Sequence, residues 1–167
     1  MCCIEYNRTM YHRSPFQHRD LRNAVIGMLS DRRFTHAVTL NTDRELSASR
    51  LRDIFKTFCM NIDRRAHAKQ NVRNIPSSER LLAIAFPENL ATNAHLHAVA
   101  DFSRLVQQTA SHQELEEVIA RTWTKATRES GSAFLSPQPD SGWSRYITKM
   151  SRWPEPLYWI STDFHPF

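Results

Sequence analysis

The spacing of apolar residues changes from one segment of this chain to the next, and each change marks an element boundary. Phe34-Thr35-His36-Ala37-Val38-Thr39-Leu40 is rich in β-branched and apolar residues and predicts a strand ending at Asn41-Thr42-Asp43. From about Ser47 to Arg65 the period becomes helical. Leu51, Ile54, Phe55, Phe58 and Ile62 fall on one stripe, with Arg50, Lys56 and Arg64 off it. Lys69 to Ser78 is polar, contains Pro76 and reads as a loop. The near-continuous apolarity of Arg80 to Phe86 predicts a largely buried second strand. Pro87 to Ala94 is a short connection to a third strand, His95 to Phe102, which forms a hairpin with the second. Ser111 and Glu114 have capping-box spacing and open a second helix with Leu115, Val118, Ile119 and Trp123 on its inner face. Ala133-Phe134-Leu135 predicts a short fourth strand, Pro137 to Gly142 a turn, Ser141 to Met150 a third helix, and Leu157 to Ser161 a closing strand.

A hairpin inside this strand–helix succession predicts an α+β domain, because a tight hairpin is no parallel crossover. We expect a central antiparallel or mixed sheet of about five strands with helices packed on it. Upstream, Leu21, Val25, Met28 and Leu29 have helical spacing. Residues 1–33 are therefore read as an N-terminal arm or leading helix, and 34–167 as the main domain.

With 167 residues, 41% of them hydrophobic, the chain suits one domain with a genuine core rather than a disordered composition. No apolar stretch is long enough to span a bilayer, and the first residues lack the charged start and apolar middle of a secretory signal. Three cysteines, Cys2, Cys3 and Cys59, make a poor disulfide framework and favour a reducing cytoplasm. Lys plus Arg number 22 against 17 for Asp plus Glu, a net charge of +5 that favours a polyanionic partner. The basic residues cluster at Arg19 and Arg22, at Arg32 and Arg33, and at Arg64, Arg65, Lys69 and Arg73. Any one such cluster is ordinarily a solvated surface.

The candidate chemistry begins at His95-Leu96-His97. Alternate residues of a strand share a face, so both imidazoles point the same way and can grip one divalent ion. A carboxylate commonly completes such a shell. Glu88 and Asp101 are the nearest acids, and the hairpin favours Glu88 by bringing the end of the second strand back to His95. Downstream, Tyr146 and Lys149 lie three apart on a helix and so face alike. A phenol is a weak nucleophile unless the phosphate it attacks is polarised, which a divalent cation does; Lys149 can pair with the same phosphate. Taken singly these features are bland. Tyr146 borders an apolar stripe of Trp143, Ile147 and Met150, and a border tyrosine is ordinarily a packing residue.

Three ordered motifs give the chain a family resemblance. Ala37-Val38-Thr39-Leu40-Asn41-Thr42, His95-Leu96-His97-Ala98-Val99 and Tyr146-Ile147-Thr148-Lys149 resemble, in order, the three motifs of the HUH endonuclease superfamily. The likeness is greatest to the replication initiator (Rep) proteins of rolling-circle plasmids and single-stranded DNA phages, and it runs from about Phe34 to Ser161. The resemblance implies that His95, His97 and, by position, Glu88 bind Mg or Mn. It implies that Tyr146 attacks single-stranded DNA at an origin, forming a 5′-phosphotyrosine link and freeing a 3′-hydroxyl, with Lys149 near the phosphate. DNA contacts are then expected from Arg64, Arg65, Arg73 and Arg145, and from Trp153 stacking on bases. A single motif tyrosine marks the one-tyrosine type. No Gly-x-x-x-x-Gly-Lys-Ser/Thr sequence occurs, so unwinding is expected from a separate host helicase. A single-tyrosine transposase or relaxase, or a catalytically inactive DNA-binding module of the same fold, stays open as the alternative.

Overall fold

Antiparallel hairpin pairing organises the protein into an α+β fold. The computed structural model describes residues 23–29, 34–137, 141–149 and 158–165, with the side chains of residues 141 and 149 outside that set. Strands β1 (His36–Asn41), β2 (Ala83–Glu88), β3 (His95–Ala100), β4 (Ala133–Pro137) and β5 (Trp159–Ile160) form one sheet in the order β4-β1-β3-β2-β5. Every pairing in it is antiparallel. The helices are α1 (residues 23–29), α2 (Ala48–Ala66), the single turn α3 (Ser103–Val106), α4 (His112–Ala126) and α5 (Ser141–Lys149). Among the described residues no helix is long and apolar enough to cross a membrane.

The sheet is apolar on both faces, and each face carries its own core. On one, Val38, Leu40, Ala85, Leu96, Ala98 and Ala100 meet the inner stripes of α2 and α4. The alanines there leave room for large helix residues, and Phe58 packs edge-on to Trp123 at 5.7 Å between centroids. On the other face Ile84, Phe86 and Val99 are covered by Val25 and Leu29 of α1, by Phe34 and by Ile147 of α5. Both long helices start where their caps dictate. The Ser47 hydroxyl accepts from the Arg50 N–H at 3.2 Å, and the Ser111 hydroxyl from Glu114 N–H at 3.1 Å. The Glu114 carboxylate reaches back to the Ala110 N–H at 2.7 Å, one residue before the cap.

Some boundaries differ from the sequence expectation. β2 runs on through Pro87 to Glu88, where Pro87 pairs with Leu96 of β3; among the described residues β5 pairs with Ile84 and Ala85. β3 stops at Ala100; the Asp101 carboxylate accepts from the Ser103 N–H at 3.0 Å and turns the chain into α3. The polar loop after α2 contains two 3-10 turns, Val72–Asn74 and Ser77–Glu79. His36 of β1 is buried, stacked on His112 at 5.7 Å and tilted against Phe102. Cys59 is a buried free thiol whose pKa burial pushes well up, which makes it inert; Cys2 and Cys3 lie outside the described residues.

Gly131 sits at φ +128°, where a Cβ would collide with the Asn41 carbonyl and crowd the Trp123 indole nitrogen. That nitrogen donates to the same carbonyl, pinning α4 to the end of β1. Gly131→Ala is expected to lower unfolding free energy by more than about 1 kcal/mol. Chemical denaturation measures it, and an unchanged midpoint would show the turn to be tolerant.

Candidate metal centre

Hairpin register builds the site. Glu88 and His95 are direct partners across β2 and β3, and His97, two residues along β3, pairs with Phe86 on one side and Thr39 on the other. Period-two geometry puts all three polar side chains on the α1/α5 face. One Glu88 oxygen, Oε2, lies 3.5 Å from His95 Nε2 and 3.6 Å from His97 Nε2. A ligand atom from each of the three residues lies within 4.8 Å of the others, close enough to bind one metal ion.

The outward ring atoms are set by the inward ones. His95 Nδ1 lies 2.9 Å from the Asn93 carbonyl, which only accepts, so Nδ1 carries a proton and Nε2 is the ring atom turned to Glu88, where the neutral ring offers its lone pair. His97 Nδ1 lies 3.1 Å from the Thr39 hydroxyl, and with Thr39 accepting, His97 takes the same tautomer. Burial, and then the neighbouring His95, pushes the His97 pKa down to about 4. It is thus a neutral imidazole at physiological pH, the form that binds metal. Burial raises the Glu88 carboxyl, against the pull of His95. Glu88 Oε1 is buried and has no hydrogen-bond partner among the described residues. A buried, uncommitted carboxylate oxygen beside two oriented imidazoles fits a divalent cation.

Helix α5 brings the aromatic groups. Ile147, Ser144 and Thr148 are buried and seat it on this face, with the Thr148 hydroxyl donating to the Ser144 carbonyl at 2.8 Å. One turn from Ile147, Trp143 is half-buried with its ring edge-on to His97 at 5.5 Å. Tyr146 is 52% exposed, and its ring meets His97 edge-on at 5.3 Å. The phenol and both imidazoles therefore share one side of the sheet. Lys149 ends α5, but its side chain is outside the described residues, as is the whole of Trp153.

The basic residues divide. Arg145 is exposed on α5, beside Tyr146. Arg64 and Arg65 end α2, and Arg73 lies in the 3-10 turn beyond it. Helix α2 covers the opposite face of the sheet, and an amphipathic helix turns its charged side outward, so these three expected DNA contacts stand apart from the histidine cluster. Asp101 is at the far end of β3 and takes no part in the cluster. Two residues go beyond the sequence reading. Thr39 orients His97. Phe134 pairs with Thr39 across β4 and β1 on the site face and is 64% exposed. Its only sequence signal was an aromatic residue in a short strand. Comparison with protein-family models, with curated proteins and with solved structures finds no match.

The His97 pKa carries a stability consequence. Between the ordinary value of 6.5 and about 4, the unfolded chain binds a proton at His97 that the folded protein refuses. In chelator, unfolding free energy is therefore expected to fall as pH drops through this window, by up to about 3 kcal/mol from His97. His36 and His165 are shifted in the same direction and add to the loss; the raised Glu88 pKa opposes it, since the folded state holds that proton more tightly. Denaturation midpoints between pH 6.5 and 4 test this. A His97→Gln variant that loses stability as steeply as the parent would exclude His97 as the source.

Proposed function

We propose that the protein is a single-tyrosine, metal-dependent endonuclease of the HUH type, which nicks and rejoins single-stranded DNA to initiate rolling-circle replication of a plasmid or phage. The observation that carries this reading is the Tyr146 ring standing against His97 inside the Glu88–His95–His97 cluster. One carboxylate oxygen with two imidazole nitrogens would hold a divalent cation, and the resemblance to the HUH family makes that cation Mg or Mn. Bound there, the cation would polarise a phosphate oxygen.

The chain's own residues do the rest. The Tyr146 oxygen bonds to phosphorus and gives up its proton to solvent. The bond from phosphorus to the preceding nucleotide's 3′ oxygen breaks, and that oxygen takes up a proton. The 5′ phosphate stays on the protein, so the free 3′-hydroxyl can prime synthesis or reverse the step. His95 and His97, locked by Asn93 and Thr39, keep their Nε2 atoms aimed at one point with no reorganisation. Arg145, exposed on the nucleophile's helix, offers charge to the flanking backbone. Exposed Phe134 gives a stacking surface for an unpaired base, a contribution of about 1–3 kcal/mol.

Incubating the protein with labelled single-stranded oligonucleotides from its own genetic neighbourhood, with Mn or with chelator, tests the reading. The expected result is a metal-dependent band surviving denaturation. Salt-sensitive binding with no covalent band under any metal would leave a DNA-binding module instead.

A further inference from the structure

Helix α2, on the face away from the triad, borders two grooves lined by cations, one shared with α4 and the other with the 3-10 turn Val72–Asn74, Arg80 and Phe164. In the first, Arg64, Arg65 and Lys69 face Arg121 and Lys125 across the interhelical cleft. The second contains Lys56, Arg64 and Arg73, so Arg64 joins the two into one band. Among the described residues no carboxylate lines either groove. Among the described residues, Arg121 has an ion pair, a long 3.9 Å contact to Glu117, and Arg80 in the second groove is held by buried Asp63. Lys56, Arg64, Arg65, Lys69, Arg73 and Lys125 are exposed and have none.

We infer that this band is a second nucleic-acid surface, which holds the phosphate backbone of a duplex while the opposite face handles a single strand. Three observations select that occupant. Concave, carboxylate-free clefts of mixed Arg and Lys suit a ridge of phosphates. Among the described residues the large exposed apolar ones, Met28, Val106, Phe134, Tyr146 and Tyr158, all lie outside both grooves, so there an anionic membrane would find charge but no large exposed apolar anchor. Among the described residues the one aromatic that lines them, Phe164, is buried and offers unpaired bases no stacking platform. On the triad face the pattern inverts, with Phe134 and Tyr146 exposed. The single-strand half rests on the proposed endonuclease reading; the duplex half does not.

The test combines Lys56→Gln, Lys69→Gln and Lys125→Gln, all exposed and outside the triad face. Binding of a 20-base-pair duplex of arbitrary sequence is measured against salt, with the single-strand adduct assay run in parallel. We expect the triple variant to bind duplex at least tenfold more weakly, with a log–log salt slope smaller by about 2–3, and adduct formation unchanged. Circular dichroism confirms that the variant is folded. Equal duplex binding by parent and variant would overturn the inference and leave the endonuclease reading standing. Loss of duplex binding by the variant, from a parent that forms no adduct, would support the inference and remove the endonuclease reading. Phosphatidylserine vesicles that outcompete the duplex for the parent would assign the band to a membrane and overturn the inference.

Discussion

Tyr146→Phe is expected to eliminate the covalent protein–DNA adduct, a loss of more than about 10³-fold, while leaving the fold, metal affinity and single-strand binding nearly unchanged. The substitution removes one oxygen from a ring that is 52% exposed and keeps the ring that packs on His97 and Trp143. No residual route substitutes for it, because the phenolic oxygen is the atom that would hold the phosphate. His97→Ala should lose the adduct too, together with metal binding. The pair of variants therefore separates the nucleophile from the cation. Gel analysis after denaturation reads the adduct, and calorimetry with Mn reads the metal. An adduct of parental yield from Tyr146→Phe would remove Tyr146 from the reaction and the proposed function with it.

The second large effect is on stability. Asp63 near the end of α2 is 2% exposed, and both of its oxygens are committed. Oδ2 accepts from Arg80 Nε at 2.8 Å, and Oδ1 accepts from the Leu81 N–H at 2.7 Å. One carboxylate thus fastens α2 to the entry of β2, the strand that carries Glu88. Asp63→Ala leaves a buried guanidinium and a backbone N–H without their acceptor. It is expected to cost about 3–5 kcal/mol, a large part of the roughly 5–15 kcal/mol that holds a domain together. Adding Arg80→Met should recover much of the loss, because the uncompensated charge goes with it. Urea denaturation of both variants measures this. A single variant within 1 kcal/mol of the parent, about the size of one ordinary hydrogen bond, would show the pair to be dispensable.

Much of the fold was legible because local sequence and tertiary demand agree. The stripe from Leu51 to Ile62 makes a helix that needs one apolar surface, and the sheet supplies it. Ser47 and Ser111 announce their helices through bonds made within three residues. The His95/His97 pair and Glu88 were legible for the same reason, since hairpin partners are near neighbours in sequence. Pro87 concealed the last residues of β2, because its missing N–H counts against a strand until its pairing with Leu96 of β3 is known. The burial of His36 was not legible locally, because the rings against it, Phe102 and His112, come from distant parts of the chain.

The sequence by itself determined the alternation along each strand, the apolar stripe of each helix and the shared face of the two histidines. These follow from periods of two and 3.6 that every residue obeys locally. Only the tertiary structure decided what stands opposite what. It put the Tyr146 ring against His97 through the seating of Ile147, gave His97 its hydroxyl partner from β1, and sent Arg64 and Arg65 to the other side of the sheet. Those relations depend on which helix covers which face. In a sheet with apolar residues on both faces, that choice is made by long-range packing, and no short stretch of sequence encodes it.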